Sequence, residues 1–396
     1  MHQPHNRRTQ QSPDTQPVLW GGLRSTFAVA HRGGHKETRP DDLLVDVINA
    51  HRQRYADYWQ SAHQPRDMVV GCAYPEGEQG YNVARTVALG AGLAIPAMTV
   101  NRLCGSALEA AAIAASAVAS GRNPVWVVAG VESMSRIPRR GANFSESARI
   151  SHDAPATYIT MGETAEQVAQ QYPQFTRSQQ EALAAQSHAR AHQAWEAGWY
   201  ADHVLTTPLS PRDESIRYPA NRDKMAALPP AFRDDGVVTA ATSSPMSDGA
   251  SLAIVTSETS ARLSGVRSFL RILDVTTAHV APNVMGMGPV PAIQALLRRN
   301  DVNMRDLAAI ELNEAFAIQV LACMHELHID DAILNSWGGA LAIGHPLGAS
   351  GLRLLMTLHA RMHADQSHRQ LGIVSLCVGG GQGIAMLCQY VNTAAE

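Results

Sequence analysis

The sequence predicts an α/β protein made of two similar halves, with a segment of different texture inserted between them. Short apolar runs rich in β-branched residues, such as DMVVGC near residue 70 and PVWVVAGVESM from Pro124, alternate with longer helical stretches. The second half of the chain repeats this order of segments. From about residue 137 to residue 236 the alternation stops, and loops rich in proline, arginine and aspartate surround one helical stretch at residues 177–198.

Three comparisons between segments indicate the repeat. DLAAIELNEAF, from Asp306, steps from strand to loop as DMVVGCAYPEG does. GGALAIGHPLGASGLRLLM, from Gly338, runs from a glycine-rich loop into a helix, as does NRLCGSALEAA from Asn101. LGIVSLCVGGGQGIAMLC, from Leu371, parallels the strands VWVVAGVESM and DGASLAIVTSE, here joined by a glycine turn. A duplicated α/β unit is the simplest interpretation.

The expected domain boundaries follow from these patterns. Residues 1–17 are polar and lack the apolar core of a secretory signal, so we expect a disordered tail. Residues 18–136 together with 237–262 are assigned to the first half and residues 263–396 to the second. Residues 137–236 are assigned to the inserted loop domain. A chain of 396 residues is long enough for more than one hydrophobic core.

The composition argues against several classes of protein. A formal net charge of −3 gives no global attraction to nucleic acid or to an anionic membrane surface. The longest apolar run, near residues 110–119, is far shorter than the roughly 20 residues that span a bilayer, so no membrane insertion is expected. Five cysteines without a CxxC pair argue against a disulfide framework or a structural zinc site, and they favour a reducing, cytoplasmic compartment.

Two segments place a reactive side chain just before a helix. Cys104, in NRLCGSAL, precedes an alanine-rich helix whose first amides and dipole favour a thiolate, so we expect a lowered pKa. A buried structural cysteine is the alternative. His345, in GHPLGASG, lies in a glycine-bounded loop that Pro346 stiffens and that can hold an imidazole toward a ligand. A capping or surface histidine is the alternative there.

Two further segments place polar or reactive groups at strand ends. Cys377, in SLCVGGGQG, precedes three glycines whose amides could face a ligand, although a tight hairpin explains the same pattern. Asn313, in NEAFA, follows a strand that should be buried, so its amide needs a partner or a bound water. Helix capping by Asn313 is the alternative.

Two histidine pairs have i, i+4 spacing, His188 with His192 and His359 with His363. Such pairs can chelate zinc, but neither includes the glutamate of an HExxH motif. We therefore interpret both as solvated helix faces and predict no metal site.

Seven segments, in order, resemble the thiolase family: NRLCGSAL, MGETAEQVA, TSSPMSDGAS, MGMGPVPAI, ELNEAFA, GGALAIGHPLGASG and LCVGGGQGIAM. The resemblance covers roughly residues 18–392. It implies the thiolase-like fold, in which two βαβαβαββ halves form a layered α-β-α-β-α core with an inserted loop domain. It also implies an acetyl-CoA C-acyltransferase that cleaves 3-ketoacyl-CoA with CoA, or runs the reverse condensation. CoA is then a substrate, and no cofactor is permanently bound.

The resemblance assigns a role to each matching position. Cys104 matches the acylated nucleophile, Cys377 the acid/base cysteine and His345 the histidine that activates Cys104. Asn313 matches the asparagine that holds an oxyanion-hole water beside His345, and the amides of Cys104 and Gly379 match the second oxyanion hole. The positions that match the lining of the CoA and pantetheine channel are Met161, Arg217, Phe232, Ser244, Met285 and Phe316.

The resemblance also favours a degradative type of thiolase, one of fatty acid β-oxidation. Thr160 stands where short-chain biosynthetic members often have histidine. A biosynthetic acetoacetyl-CoA thiolase is the alternative, and a condensing enzyme like the ketoacyl synthases is less favoured because it would not need Cys377. The family implies a homodimer or homotetramer and leaves open a β-oxidation partner subunit. Trp337 stands where a small or polar residue is expected, so it either reshapes the acyl pocket or packs behind the histidine loop.

Overall fold

The computed structural model describes residues 12–365 and 369–393. In that part of the chain the strands are β1 (Pro17–Ser25), β2 (Ala28–Val29), β3 (Asp67–Gly71), β4 (Ala97–Val100), β5 (Val125–Ser133), β6 (Val204–Leu205), β7 (Ser247–Ser257), β8 (Ser268–His279), β9 (Leu307–Leu312), β10 (Leu371–Val378) and β11 (Gln382–Asn392). The α-helices are α1 (Pro40–Arg54), α2 (Ala56–Gln60), α3 (Val83–Gly90), α4 (Ser106–Ala119), α5 (Ala148–Asp153), α6 (Met161–Gln171), α7 (Arg177–Glu196), α8 (Arg222–Ala226), α9 (Glu258–Leu263), α10 (Pro289–Asn300), α11 (Ala317–Leu327), α12 (Ala340–Ile343) and α13 (Ser350–Asp365). Among these helices, none is long and apolar enough to cross a membrane.

The main strands form one mixed sheet in the order β4-β3-β5-β7-β1-β8-β11-β10-β9. The two halves of the sheet have the same arrangement of strands. In β3-β5-β7-β1 and in β9-β10-β11-β8, the first pair of neighbouring strands is parallel and the next two pairs are antiparallel. Two residue pairs, Val18 with Arg271 and Leu19 with Leu270, join the two halves. Where the second half would have its counterpart of β4, a single parallel bridge links Ile310 to Leu334. The predicted duplication is confirmed.

Helices cover both faces of each half of the sheet. Helices α1 and α3 pack on one face of the first half, α10 and α11 on one face of the second, and α4 and α13 contact each other between the halves. In β5, Trp126 and Val128 contact the central helices, whereas Val125 and Val127 contact the outer ones. This arrangement confirms the predicted α-β-α-β-α layers. It also explains why the strands are continuous apolar runs, since strands buried on both faces need no polar side.

Small residues let the central helices approach their neighbours closely. A Cβ atom added to Gly71 of β3 would lie 2.4 Å from the backbone carbon of Ser106, at the start of α4. A Cβ atom added to Gly351 of α13 would lie 2.4 Å from the amide nitrogen of Leu108. Most of the alanines of α4 are buried, for the same reason. The close contacts fix the N-terminal end of α4, and Cys104 with it, against the loops of the second half.

The structure corrects two expectations. Residues 1–11 of the predicted tail lie outside the described residues, but residues 12–16 form a turn, and its backbone oxygens accept hydrogen bonds from the amides of Glu258 and Thr259. Strand β1 already begins at Pro17. The stretch 137–236 is also not wholly outside the sheet, because β6 pairs in parallel with the end of β1. The helix predicted at 177–198 is confirmed as α7, whose first turn is closed by a capping box that Thr176 begins.

Candidate active site

A cavity of about 1080 Å³ opens at the loops where the two halves meet the stretch 137–236. Cys104, His345 and Cys377 line it together, although they come from three segments far apart in the sequence. The other predicted site residues that line this cavity are Met161, Arg217, Phe232, Ser244, Met285, Phe316 and Gly379. Asn313 lies behind His345 instead of in the lining. The structure thus brings the whole predicted set to one place.

Cys104 lies in a 3₁₀ turn, Leu103–Gly105, that leads into α4. Leu103 has a φ of +45°, which residues other than glycine rarely adopt. Two hydrogen bonds hold this conformation: the Leu103 amide donates to Asn101 Oδ1 at 2.8 Å, and the Ser106 hydroxyl donates to the Leu103 carbonyl at 2.6 Å. The turn points the Cys104 side chain into the cavity instead of back into the helix.

The predicted lowering of the Cys104 pKa is wrong. Burial raises the pKa of this thiol to about 11, and the carboxylate of Glu132 adds to the rise, while hydrogen bonds from the amides of Gly379 and Cys104 oppose it. The residue as a whole is only half-buried, but its sulfur is surrounded by protein atoms. A helix start stabilises an anion by about 0.3–1 kcal/mol, which is less than the cost of taking a thiolate out of water. The Cys104 thiol is therefore neutral near pH 7.

His345 is a buried imidazole whose ring is held by hydrogen bonds at both nitrogens. Its Nδ1 lies 2.6 Å from the Ser350 hydroxyl oxygen, and that hydroxyl donates to the Pro346 carbonyl at 3.0 Å. Because the hydroxyl proton is used in this way, Ser350 accepts a hydrogen bond from Nδ1–H, and the lone pair of the neutral ring is on Nε2. Burial and the nearby positive charge of Arg353 lower the pKa of His345 to about 3, so the ring is neutral.

Asn313 faces Nε2 and is oriented from behind. Its Nδ2 lies 3.3 Å from His345 Nε2, and Arg353 Nη2 lies 3.4 Å from its Oδ1. Because the guanidinium only donates, it fixes which end of the amide points at the histidine. Arg353 is completely buried beside the carboxylate of Glu311, 3.9 Å away. The alternative of helix capping is not seen, since α11 begins after Phe316.

Cys377 lies near the end of β10, deep in the cavity wall. It is 1% exposed, and burial raises the pKa of its thiol well above the usual value, with contributions from the Cys104 and Cys323 thiols. The chain then turns into β11 through Gly380 and Gly381, whose φ angles are +77° and +79°. The amide of Gly379 reaches the Cys104 thiol. The hairpin and the ligand-facing amide, which the sequence offered as alternatives, are thus both present.

The channel residues form an apolar wall with a basic rim. The rings of Phe232 and Phe316 meet edge to face, with centroids 5.9 Å apart. A Cβ atom on Gly162 would lie 2.0 Å from the Phe232 ring, so only glycine leaves room for that ring. Among the residues that the structure describes, the cavity lining includes no aspartate or glutamate and five cationic side chains, those of Arg32, Arg139, Arg140, Arg217 and Lys224. Such a site suits an extended apolar ligand that carries negative charge.

The prediction of a solvated face is wrong for His188. It is 8% exposed, lines the cavity, and accepts a hydrogen bond from the Arg217 amide at 3.2 Å. Burial and the charge of Arg217 lower the pKa of His188 to about 4. In the part of the chain that the structure describes, no group of three or more potential metal ligands occurs.

Trp337 packs behind the histidine loop and is absent from the cavity lining. It is 4% exposed, its ring stacks on that of Trp199 with centroids 4.8 Å apart, and its carbonyl accepts a hydrogen bond from the Tyr200 hydroxyl at 2.6 Å. Of the two interpretations offered by the sequence, this is the one that the structure supports.

Sequence reasoning missed four residues that organise the site. Ser350 and Arg353 stand in the segment GASGLR that was singled out for His345, so this motif was the signal that could have found them. Glu132 is fully buried and accepts hydrogen bonds from the amides of Ala73, Tyr74 and Gly348, which ties the loop after β3 to the histidine loop. Tyr74 lines the cavity near Cys104. For Glu132 and Tyr74 the sequence held no signal.

Comparison with known proteins agrees with this geometry. The family described as "Thiolase, N-terminal domain" matches residues 18–259, and "Thiolase, C-terminal domain" matches residues 266–390. The chain therefore belongs to the thiolase family and is an acyltransferase.

Several similar proteins show how close the relationship is. The chain is 35% identical to a 3-ketoacyl-CoA thiolase of Bacillus subtilis (strain 168), with 93% of this chain and 98% of the relative covered. It is 40% identical to a 3-ketoacyl-CoA thiolase of Shewanella sp. (strain ANA-3), with coverages of 95% and 100%. It is 37% identical to a beta-ketoadipyl-CoA thiolase of Pseudomonas knackmussii, with coverages of 91% and 95%. A crystal structure of the Bacillus anthracis acetyl-CoA acetyltransferase superimposes with a TM-score of 0.84 at 32% identity, with coverages of 95% and 99%.

Proposed function

We propose that this thiolase cleaves 3-ketoacyl-CoA with free CoA, giving acetyl-CoA and a shortened acyl-CoA, through an acyl-enzyme on Cys104. The observation that carries the proposal is the meeting of Cys104, His345 and Cys377 in one cavity, with Asn313 against the histidine. The relatives named 3-ketoacyl-CoA thiolase, at 35% and 40% identity over nearly the whole chain, support the same reaction.

The first half-reaction needs a nucleophile at C3 of the substrate and a proton donor at C2. His345 Nε2 takes the proton of Cys104, and the thiolate adds to the C3 ketone of the substrate. The C2–C3 bond then breaks, which leaves the acyl group on Cys104 and the enolate of acetyl-CoA. Cys377 donates its thiol proton to C2 of this enolate. The raised pKa of Cys377 keeps its proton in place until this step.

The second half-reaction returns both protons. The thiol of incoming CoA gives its proton to the Cys377 thiolate and attacks the acyl group on Cys104. The Cys104 sulfur leaves and recovers its proton from His345. Negative charge develops on the ketone oxygen and, in each half-reaction, on a thioester oxygen. The hydrogen-bond donors proposed for these oxygens are the amides of Cys104 and Gly379 and the Asn313–His345 pair.

CoA binds as a substrate in this proposal, not as a resident cofactor. The apolar channel of Met161, Phe232, Met285 and Phe316 suits the pantetheine arm, with Ser244 as a polar contact. Arg217 at its rim suits the phosphates. Charge-assisted contacts to phosphate would position CoA without taking part in the chemistry.

Turnover and acylation test the proposal separately. Purified protein should consume a 3-ketoacyl-CoA only when free CoA is present. Cys104→Ser should fold but form no acyl-enzyme, and Cys377→Ala should form one but turn over slowly. Cys388→Ala is the matched control, because Cys388 is buried in the central layer away from the cavity. Absence of turnover across a series of acyl chain lengths would contradict the proposal.

The cellular setting is part of the proposal. A degradative role in β-oxidation rests on Thr160, whose side chain caps α6 and shows no other role. All five cysteines are free, as expected for a reducing cytoplasm. The division into a first half of residues 18–136 and 237–262, an inserted loop domain of residues 137–236 and a second half of residues 263–396 is also part of the proposal. Co-purification from cells would test for a β-oxidation partner subunit.

One edge of the sheet suits an interface between two copies of the chain, which supports a homodimer or homotetramer. Strand β4 is the outermost strand and is only partly buried. Near it lie three exposed apolar side chains: Met98 is 36% exposed, Leu89 is 60% exposed and Tyr81 is 101% exposed. An exposed strand edge with apolar neighbours is costly in a monomer, and pairing with a second copy would cover it. Light scattering after size exclusion would give the oligomeric state.

A further inference from the structure

We propose that Arg353 is a positioning residue for the reaction, which acts on the chemistry through Asn313 and His345 although it does not reach the cavity. The inference rests on the proposed function and adds a residue to its machinery. Arg353 lies in the first turn of α13, is completely buried and is absent from the cavity lining. Any effect on the reaction must therefore pass through the residues that Arg353 contacts.

Arg353 reaches the reacting centre through one side-chain amide. Its Nη2 donates to Asn313 Oδ1 at 3.4 Å, and Asn313 Nδ2 lies 3.3 Å from His345 Nε2. The guanidinium thus turns the N–H groups of this amide toward the side of the site where, in the proposed mechanism, an oxyanion develops. A positive charge held at the amide oxygen also polarises the N–H bonds, so that they become stronger donors.

The ion pair of Arg353 is too long to explain the residue by stability. Arg353 Nη1 lies 3.9 Å from Glu311 Oε2, and both atoms, like Arg353 Nε, are buried without a hydrogen-bond partner among the residues that the structure describes. Glu311 pairs more closely with Arg361, whose Nη1 lies 2.5 Å from Glu311 Oε1. The desolvation of a buried charge commonly outweighs the attraction in so imperfect an ion pair. The arrangement therefore favours a role of Arg353 in the site over one in the fold.

The shared carboxylate leaves positive charge beside His345. Glu311 faces the guanidinium groups of Arg353 and Arg361 and can neutralise only one of them. Burial lowers the pKa of His345, and the charge of Arg353 lowers it further, which keeps the ring neutral and able to take a proton. Burial lowers the pKa of Arg353 as well, but a guanidinium remains protonated in protein interiors. The other ionisable groups that act on Arg353 include Arg24, Tyr200 and Glu314.

Lysine substitutions at two positions of α13 separate a role in the reaction from a role in the fold. Arg353→Lys keeps the charge, but one ammonium group cannot span Asn313 and Glu311 as the planar guanidinium does. Its kcat should fall about 10- to 100-fold, as expected for the loss of a hydrogen bond from a charged group, while KM stays unchanged. Arg361→Lys is the matched control, because Arg361 is also buried on α13 and bonded to Glu311 but does not contact Asn313. It should lower the melting temperature and leave kcat unchanged.

Arg353→Met tests the charge itself. Without the guanidinium the pKa of His345 should rise, which a nitrogen-15 NMR titration of the ring would show, whereas in Arg353→Lys it should stay low. A raised pKa means that the ring is protonated at a higher pH. On the acid side, the acylation rate of Arg353→Met should therefore begin to fall at a higher pH than that of the wild-type protein.

A double-mutant cycle shows whether Arg353 acts through Asn313. In an Asn313→Ala background, Arg353→Lys should change kcat by no more than about threefold, because the side chain that it positions is gone. A double variant in which the two separate losses multiply would overturn the inference.

The remaining outcomes are also decisive. A wild-type kcat in Arg353→Lys, equal losses of kcat in Arg353→Lys and Arg361→Lys, or an unchanged His345 pKa in Arg353→Met each overturns the inference. If circular dichroism shows that both Arg353 variants unfold, the residue is structural and the inference is overturned as well. If the wild-type protein cleaves no 3-ketoacyl-CoA, the proposed function fails, and the pKa of His345 in Arg353→Met still decides whether Arg353 acts on the site.

Discussion

Replacing Ser350 by alanine should slow the acylation of Cys104 without unfolding the protein. The Ser350 hydroxyl accepts a hydrogen bond from His345 Nδ1 at 2.6 Å and in turn donates to the Pro346 carbonyl at 3.0 Å. It thereby keeps the lone pair of the neutral ring on Nε2, the atom that faces Asn313. When His345 takes the thiol proton, the same hydrogen bond stabilises the positive ring.

The expected magnitude follows from that change of charge. A hydrogen bond to a charged group contributes about 1.5–3 kcal/mol, which corresponds to roughly a 10- to 150-fold slower acylation. The ground state loses less, because a hydrogen bond between neutral groups contributes only about 1 kcal/mol. The rate constant of acylation should therefore fall much more than the affinity for substrate.

Single-turnover mass spectrometry without free CoA would measure the acylation rate directly. Thr357→Ala is the matched control, since Thr357 is also a buried hydroxyl of α13, donates to the Arg353 carbonyl at 3.0 Å and does not touch His345. Nitrogen-15 chemical shifts of His345 would report the tautomer. Wild-type acylation in Ser350→Ala, or an unchanged tautomer, would refute the reasoning, whereas equal losses in both variants would indicate a merely structural effect.

Three further predictions concern pH and the glycine turn. Because the pKa of the nucleophilic thiol is raised to about 11 and that of its base is lowered to about 3, the acylation rate should be constant between about pH 5 and 9; a rise with a midpoint near pH 7 would contradict this. Burial also lowers the pKa of His51 and of His203 to about 3, so below the ordinary value of 6.5 the unfolded chain takes up protons that the folded chain does not. Stability should therefore fall as the pH falls, by about 2 kcal/mol per histidine at pH 5 relative to pH 7, and urea titrations with the same midpoint at both pH values would rule this out. Gly379→Ala should lower kcat severalfold, because its Cβ atom would lie 2.9 Å from Leu103 Cδ1 and push the Leu103 side chain, next to Cys104, out of place. Gly265→Ala, in an open turn with a φ of +75°, should affect only the melting temperature.

The repeat was readable from the sequence because its strands are buried on both faces. DLAAIEL and LGIVSLCV are unbroken apolar runs, and they became β9 and β10 at the positions that the comparison with DMVVGC and VWVVAG indicated. The two-residue strand β6 had no such pattern, since its pairing with β1 depends on contacts that residues 204–205 gain only in the folded chain. The turn at residues 12–16 was missed for the same reason: its polar sequence resembles that of a tail, and its partners are the amides at the start of α9.

For the active site as well, local sequence patterns predicted some features and missed others. Motifs located Cys104, His345, Asn313 and Cys377, because each stands in a short segment with distinctive glycines or strand ends. The sign of the Cys104 pKa shift could not be read in this way. It depends on how many protein atoms exclude water from the sulfur, and these come from both halves of the fold. Local reasoning saw only the helix start, which is the smaller of the two effects.

The exclusion of water that makes Cys104 a weak acid is also what makes the site effective. Where protein atoms exclude water, the amides of Cys104 and Gly379 act more strongly on a developing oxyanion than they would in bulk water, because less solvent competes for them. A resting thiolate would lose its advantage there and would be open to oxidation. In the proposed mechanism, the proton therefore stays on sulfur until a ketone is in place to receive the electron pair, and only then does His345 take it. Arg217 and Lys224 line the cavity from exposed positions, where their positive charge would attract an anionic substrate without stabilising the thiolate before the substrate arrives.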